Sequence, residues 1–321
     1  MQTEISALVA IIGLLPLLAT SASAQQKDLR TLRLSVFRVD AAMVVAKARG
    51  LFVAEGLDVK ITTTPNSTDQ MRGISNGSFE IASTAFDNVL AWSGREGAEI
   101  VAVAQTVDKI VLPVFVRPEI REWNDLRGKK LAADAVDTAY ALVLRRILLA
   151  HGLDLNRGDY ELVPLGATER RLESMTRGET FAAVLNPPVD SKAAAAGLVR
   201  FADHLSVLPH YPGGVLAVNR AWAQSRRDDL VGFLRAWLSA MRWAKEPANR
   251  DEAIKMVAAD LGFNPKTAAE RVSELSANGS LNLPGLESML NLRSQFGFKL
   301  PMGTAIAPYY DVDYYRTASG K

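Results

Sequence analysis

The chain has 321 residues, 48% hydrophobic and 22% charged, with 37 Lys+Arg against 35 Asp+Glu and no cysteine. That length suggests two domains, and the ordinary composition with scattered, nearly balanced charge excludes disordered, collagenous and coiled-coil chains and a nucleic-acid footprint. Without cysteine there are no disulfides, thiolate metal sites, iron–sulfur clusters, cysteine nucleophiles or cysteine-linked lipid anchors.

The chain opens with an export signature. Ala7–Ala19 is almost wholly apolar but too short for the ~20 residues that span a bilayer, and Pro16 interrupts it. Ala22-Ser23-Ala24 has the A-x-A form of a signal-peptidase site, which places cleavage after Ala24 and makes residues 1–24 a signal peptide. The n-region departs from the usual pattern, carrying Glu4 and no Lys or Arg. An exported chain without a lipid-anchor cysteine needs an outer membrane to retain it, so the expectation is a periplasmic protein.

Strand and helix patterns then alternate. Leu32–Phe37 alternates like a strand, and Ala41–Arg49 has helical spacing stopped by Gly50. Leu57–Thr62 (strand), Ser67–Asn76 (helix), Phe79–Ser83 (strand) and Asp87–Trp92 (helix start) follow, then the apolar runs Ile100–Ala104 and Leu112–Arg117. The cycle restarts with Lys129–Ala133, Thr138–Ala150, Tyr160–Pro164, Glu169–Thr176 and Phe181–Leu185. One more strand, Val215–Asn219, leads into a helical tail with Ala221–Lys245, Arg250–Leu261 and Pro265–Ala277. This is an α/β pattern of parallel sheets built from βαβ units. The restart implies two lobes: 29–113 with 211–321 as lobe one, carrying the tail, and 114–210 as lobe two. The chain would cross around Val114–Arg117 and Pro209–Gly214, an arrangement suited to closing around a ligand. Ligands in such sheets sit beyond the carboxyl ends of the strands, here after Phe37, Ser83, Ala104, Ala133, Leu185 and Pro209.

The segment AAMVVAKARGLFVAEGLDVKI resembles the opening of nitrate/sulfonate/taurine-type solute-binding proteins, the NMT1/THI5-like group, where a VAKxxGxFxxEGLDV run follows the first strand. The likeness continues through NGSFEIASTAFDNVL, DLRGKKLAADAVDTAYALVLRRILLAHGLDL, VPLGATERRLESMTRGETFAAVLNPP and RDDLVGFLRAWLSAMRWAKEPANRDEAI. The resemblance implies a type 2 periplasmic binding protein, monomeric, that delivers a small solute to the permease of an ABC importer. A receptor-docking solute sensor is the alternative. Related enzymes on the two-lobed fold, the yeast-type pyrimidine synthase and hydroxymethylbilane synthase, depend on cysteines that this chain lacks.

The strand tips supply the candidate ligand-binding residues: Phe37 and Asp40, then Thr84, Phe86 and Asp87, then Thr106, in lobe one. Lobe two offers Asp134, Asp137, Thr138, Tyr140 and Asn186, and Tyr211 lies at the return crossing. Several of the acids also suit helix capping, Asp40 and Asp137 above all. Counting Asp40, Asp87, Asp108, Asp134 and Asp137 against Arg38 and Lys109 favours a neutral or cationic organic solute stacked on aromatic rings. Two like charges ~4 Å apart at an effective dielectric of ~20 repel by about 4 kcal/mol. The three histidines are isolated, and no zinc, phosphate-loop, dinucleotide or serine-elbow motif occurs, so neither a cofactor nor a metal is expected.

Overall fold

The computed structural model describes residues 28–137 and 139–320. The expected signal peptide and Thr138 therefore lie outside the described residues. In chain order the first lobe begins β1 (Arg30–Val36), α1 (Ala41–Ala48), α2 (Leu51–Ala54), β2 (Leu57–Thr63), α3 (Ser67–Ser75), β3 (Ile81–Thr84), α4 (Phe86–Trp92) and β4 (Ile100–Gln105). The second lobe holds β5 (Pro113–Val116), β6 (Lys130–Ala133), α5 (Ala139–Ala150), β7 (Glu161–Pro164), α6 (Thr168–Thr176), β8 (Ala182–Val184), α7 (Val189–Ala195) and β9 (Val199–Asp203). The chain returns through β10 (Val215–Asn219) into α8 (Arg220–Ser225), α9 (Arg227–Lys245), α10 (Arg250–Leu261), α11 (Pro265–Ser273), α12 (Leu283–Gln295) and α13 (Asp313–Ser319). None of these helices is long and apolar enough to cross a membrane.

The two sheets follow one plan, β2-β1-β3-β10-β4 and β7-β6-β8-β5-β9. Three strands of each are parallel neighbours, whereas β10 runs antiparallel to β3 and β4, and β5 antiparallel to β8 and β9. The sheets are therefore mixed, not parallel throughout. A strand reached through a βαβ unit runs toward the cleft like its neighbours, but a strand entered from the other lobe starts at the cleft and runs away from it.

The crossings differ from expectation in one respect. Val114–Val116 already pairs with β8 and β9, so the first crossing runs earlier, through residues 106–112. The edge strand β9 carries no clean alternation, its first two residues being exposed and the rest half-buried, which is why its sequence gives no strand signal. The return crossing packs tightly beside the first. Thr106 N–H donates to the Gly214 carbonyl at 2.8 Å, and the Gln105 side-chain amide donates to the Gly213 carbonyl at 3.3 Å. A Cβ on Gly213 would lie 2.1 Å from the Val107 carbonyl oxygen, so only glycine lets the two crossings approach this closely.

The core of lobe one lies between the sheet and the tail. In α1, capped by Asp40, residues Ala41–Ala46 are all buried, and α9 lies across it with Phe233 and Trp237 wholly enclosed. Helix α12 goes further: it packs on α4 of lobe one and on α5 of lobe two.

Candidate functional site

Between the lobes, at the carboxyl edges of the sheets, lies a cavity of about 430 Å³. All six anticipated strand tips contribute to its wall, and the structure brings Phe37, Asp40, Thr84, Thr106, Asp134, Tyr140, Asn186 and Tyr211 together there. Three anticipated residues are elsewhere. Phe86 is fully buried in the hydrophobic core, because α4 turns that face inward. Asp87 is 3% exposed at its side chain and paired with Arg293 Nη1 at 3.1 Å. Asp137 is outside the wall and presents its backbone carbonyl to the same Arg293 nitrogen at 2.8 Å.

Asp40 combines the two roles its sequence position allows. Its Oδ1 accepts from the Met43 amide at 2.7 Å and caps α1, while Oδ2 accepts from the Trp237 indole at 3.3 Å. Burial outweighs these hydrogen bonds and pushes its carboxyl up to about 6. In lobe two Asp134 holds the start of α5: its Oδ1 accepts from the Ala141 amide at 3.0 Å. Burial raises the Asp134 carboxyl too, against the pull of Arg171.

The sequence reading had Arg38 and Lys109 but missed two further cations. Arg171 projects from α6 and Arg271 from α11; at 2% and 5% exposure, both belong to the cavity wall. Arg171 donates to Thr168 Oγ1 at 2.7 Å, and Thr168 donates to Asn186 Oδ1 at 2.8 Å, which links α6 to the tip of β8. Its guanidinium is 3.9 Å from Asp134, beyond hydrogen-bonding distance. Arg271 and Arg38 share a single carboxylate, Glu274, at 2.7 and 3.5 Å. Burial lowers the Arg38 pKa, and the neighbouring charge of Arg271 adds to the effect. Arg38 also reaches across the cleft, where its Nη1 donates to the Pro187 carbonyl at 2.5 Å. The lobes are thus in contact over the cavity.

A helical-periodicity signal for both arginines was present. Ala268, Arg271 and Val272 form one buried stripe, as do Arg171, Ser174 and Met175. The wall also takes residues from the tips of β2 and β7, Asn66 and Gly166 among them, for which the sequence offers only turn residues.

Acids and bases are matched in number: Asp40, Asp134, Glu169 and Glu274 against Arg38, Lys109, Arg171 and Arg271. Asp108, counted earlier as a cleft acid, instead accepts from the Ala277 amide at 2.7 Å and ties the first crossing to the tail. Around the charged groups stand Phe37, Ile110, Val111, Tyr140 and Tyr211, the last buried with no hydrogen-bond partner on its hydroxyl. Such a wall can hold one polar head and an apolar or aromatic body. Among the described residues no cluster of three or more His, Asp or Glu side chains is placed to hold a metal ion.

Known structures share this fold. A Bordetella bronchiseptica RB50 protein superposes with a TM-score of 0.73 at 22% identity, covering 90% of this chain and 97% of that one. The nitrate-binding protein NrtA from Synechocystis PCC 6803 gives 0.74 at 11% identity, with 91% and 89% covered. The alkanesulfonate-binding protein SsuA from Xanthomonas axonopodis pv. citri, bound to MOPS, gives 0.67 at 17% identity, with 83% and 92% covered. No curated protein matches in sequence. Residues 39–250, more than half of the chain, match the family described as NMT1/THI5 like, and the chain belongs to that family.

Proposed function

We propose that this protein is the periplasmic solute-binding component of an ABC importer, exported by a signal peptide cleaved after Ala24. As a monomer it captures a small organic solute between its lobes and presents it to the permease. The cavity carries this reading: it is formed by both lobes, bridged by Arg38 and the Pro187 carbonyl, and of a size for a small ligand. A receptor-docking sensor would use the same cavity, and the presence of genes for a permease and an ATPase beside this one distinguishes the two.

The solute in this reading carries an anionic head and an apolar body. The expected neutral or cationic solute rested on five acids, of which only Asp40 and Asp134 stand in the wall. Both are pushed toward the neutral form by burial, while Arg38 and Arg271 have one carboxylate between them. An anion beside Arg38 and Arg271 would relieve the repulsion between them.

A thermal-shift screen of the purified protein against sulfonates, nitrate, pyrimidines, amines and aromatic acids tests both points. A ligand at a hundred times its Kd stabilises by about 2.7 kcal/mol. Stabilisation by an organic acid or sulfonate supports the reading; stabilisation by amines alone reverses the charge assignment, and a flat response to every class removes the capture function.

A further inference from the structure

Behind the cavity the lobes are joined a second time, by a residue that no strand tip supplies. Arg293 lies on α12, in a stripe with Leu286, Met289 and Leu290, and is 1% exposed. Its Nη1 donates to two acceptors, Asp87 Oδ2 at 3.1 Å and the Asp137 carbonyl at 2.8 Å. Asp87 lies in the first turn of α4 in lobe one, whose N-cap Ala85 and whose Asn88 line the cavity. Asp137 lies in the lobe-two segment between Asp134 and Tyr140, which also line it. One buried nitrogen, on a residue outside the cavity wall, therefore ties the cavity-lining loop of each lobe to the other.

The surroundings are enclosed and aromatic. The Arg293 guanidinium lies 5.1 Å from the ring centre of Phe298, and Arg145 of α5 covers Phe296 at 4.2 Å. The segment after α12 thus reaches lobe two while α12 itself rests on α4. In such surroundings a charge-assisted hydrogen bond is strong and directional, and its loss leaves a buried group unsatisfied.

We propose that Arg293 is the pivot of lobe closure, a positioning residue that sets how the two ligand-facing loops approach each other without touching the ligand. The proposal rests on the capture-and-closure reading above but not on the ligand's identity. Closure and opening then turn about the back contact, while the Arg38–Pro187 contact forms and breaks on the cavity side.

The natural absence of cysteine makes the test direct. Thr68→Cys on α3 and Thr176→Cys on α6 place spin labels at exposed positions on the two lobes. The inter-lobe distance distribution is measured by pulsed electron paramagnetic resonance, without ligand, alongside the melting temperature. Asp87→Leu combined with Arg293→Met exchanges the ion pair for apolar groups, which often leaves stability intact, and removes the bond to Asp137. The expected result is a distribution broadened at least about twofold, as more inter-lobe states become populated. Arg293→Lys keeps one nitrogen able to serve both acceptors and should restore the native width. Asp87→Asn with Arg293→Gln, whose amide is too short to reach Asp137, reads the same point should the apolar pair fail to fold. A native width in either double variant, or a Lys variant as broad as the doubles, overturns the pivot. None of these readings involves ligand binding, so failure of the capture function would show separately, in the thermal-shift screen.

Discussion

The front and the back of the lobe junction are built from the same residue type to opposite ends. Arg171 and Arg271 stand at the front, in the cavity wall, and Arg145 and Arg293 at the back. All four are at most 5% exposed, and all four occupy buried helix faces. At the back Arg293 is matched by Asp87 and a carbonyl, whereas Arg145 lies over two phenylalanine rings at 4.2 and 5.5 Å with its buried Nε unpartnered, so the contrast rests on Arg293. At the front the matching is incomplete: Arg171 stands 3.9 Å from its acid, and Arg271 shares its acid with Arg38. A buried cation whose partners come from its own chain is structural, whereas one left short of partners can take a further partner from a ligand.

The sharpest way to break this contrast is to truncate one cation on each side. Arg293→Ala should cost about 3–5 kcal/mol of folding stability, because it breaks a buried ion pair and leaves the Asp137 carbonyl without its donor. Denaturant unfolding reads the loss, and a change below about 1 kcal/mol would show the back contact to be dispensable.

Arg38→Ala at the front should act on binding more than on folding. Loss of a hydrogen bond to a charged group predicts about 1.5–3 kcal/mol weaker binding of the best anionic ligand from the screen, one to two decades in Kd by calorimetry. An unchanged Kd would place the ligand head away from Arg38.

Gly213→Ala probes the crossings that connect the two sides. The added methyl would meet the Val107 carbonyl, and overpacking of this kind costs about 1–3 kcal/mol. A melting temperature equal to that of the parent would mean that the crossings can part without penalty.

The smallest effect concerns Asp40 and pH. Its carboxyl titrates at about 6 in the fold against an ordinary 3.8, so the folded state holds the proton more tightly than the unfolded chain. The contribution of this group is therefore most favourable at low pH and declines as pH rises from about 4 through 6. Asp40→Asn, which retains an acceptor for the Met43 amide, should flatten that part of the stability–pH curve. The same protonation adds net positive charge to the cavity, so anion affinity should rise below pH 6 in the parent and change less in Asp40→Asn.

Much of this molecule was readable along the chain. The strand–helix alternation, its restart and the helical tail all carry local periodicity, and they led to two lobes and to six strand tips that do meet at the cavity. Asp40 was legible as both cap and wall residue because N-cap chemistry is local. Asp87 and Asp137 were not, since their partner is Arg293, 206 and 156 residues away. The strand directions followed the same division. Periodicity identifies β10 as a strand and β5 only as an apolar run, and nothing local tells that they enter their sheets from the cleft and so run antiparallel.

The sequence by itself determined most of the element types and the two-lobed α/β plan, because these follow from side-chain periodicity, capping residues and turn chemistry within a few residues of each other; the family was carried separately, by the resemblance of its motifs. The tertiary structure alone decided which charges face the ligand. An arginine at i, i+3 or i+4 in an apolar stripe has the same local pattern whether its helix packs against a core, a hinge or a cavity. Only the packing of α6 and α11 onto the cleft, and of α12 behind it, separates a wall residue from a pivot.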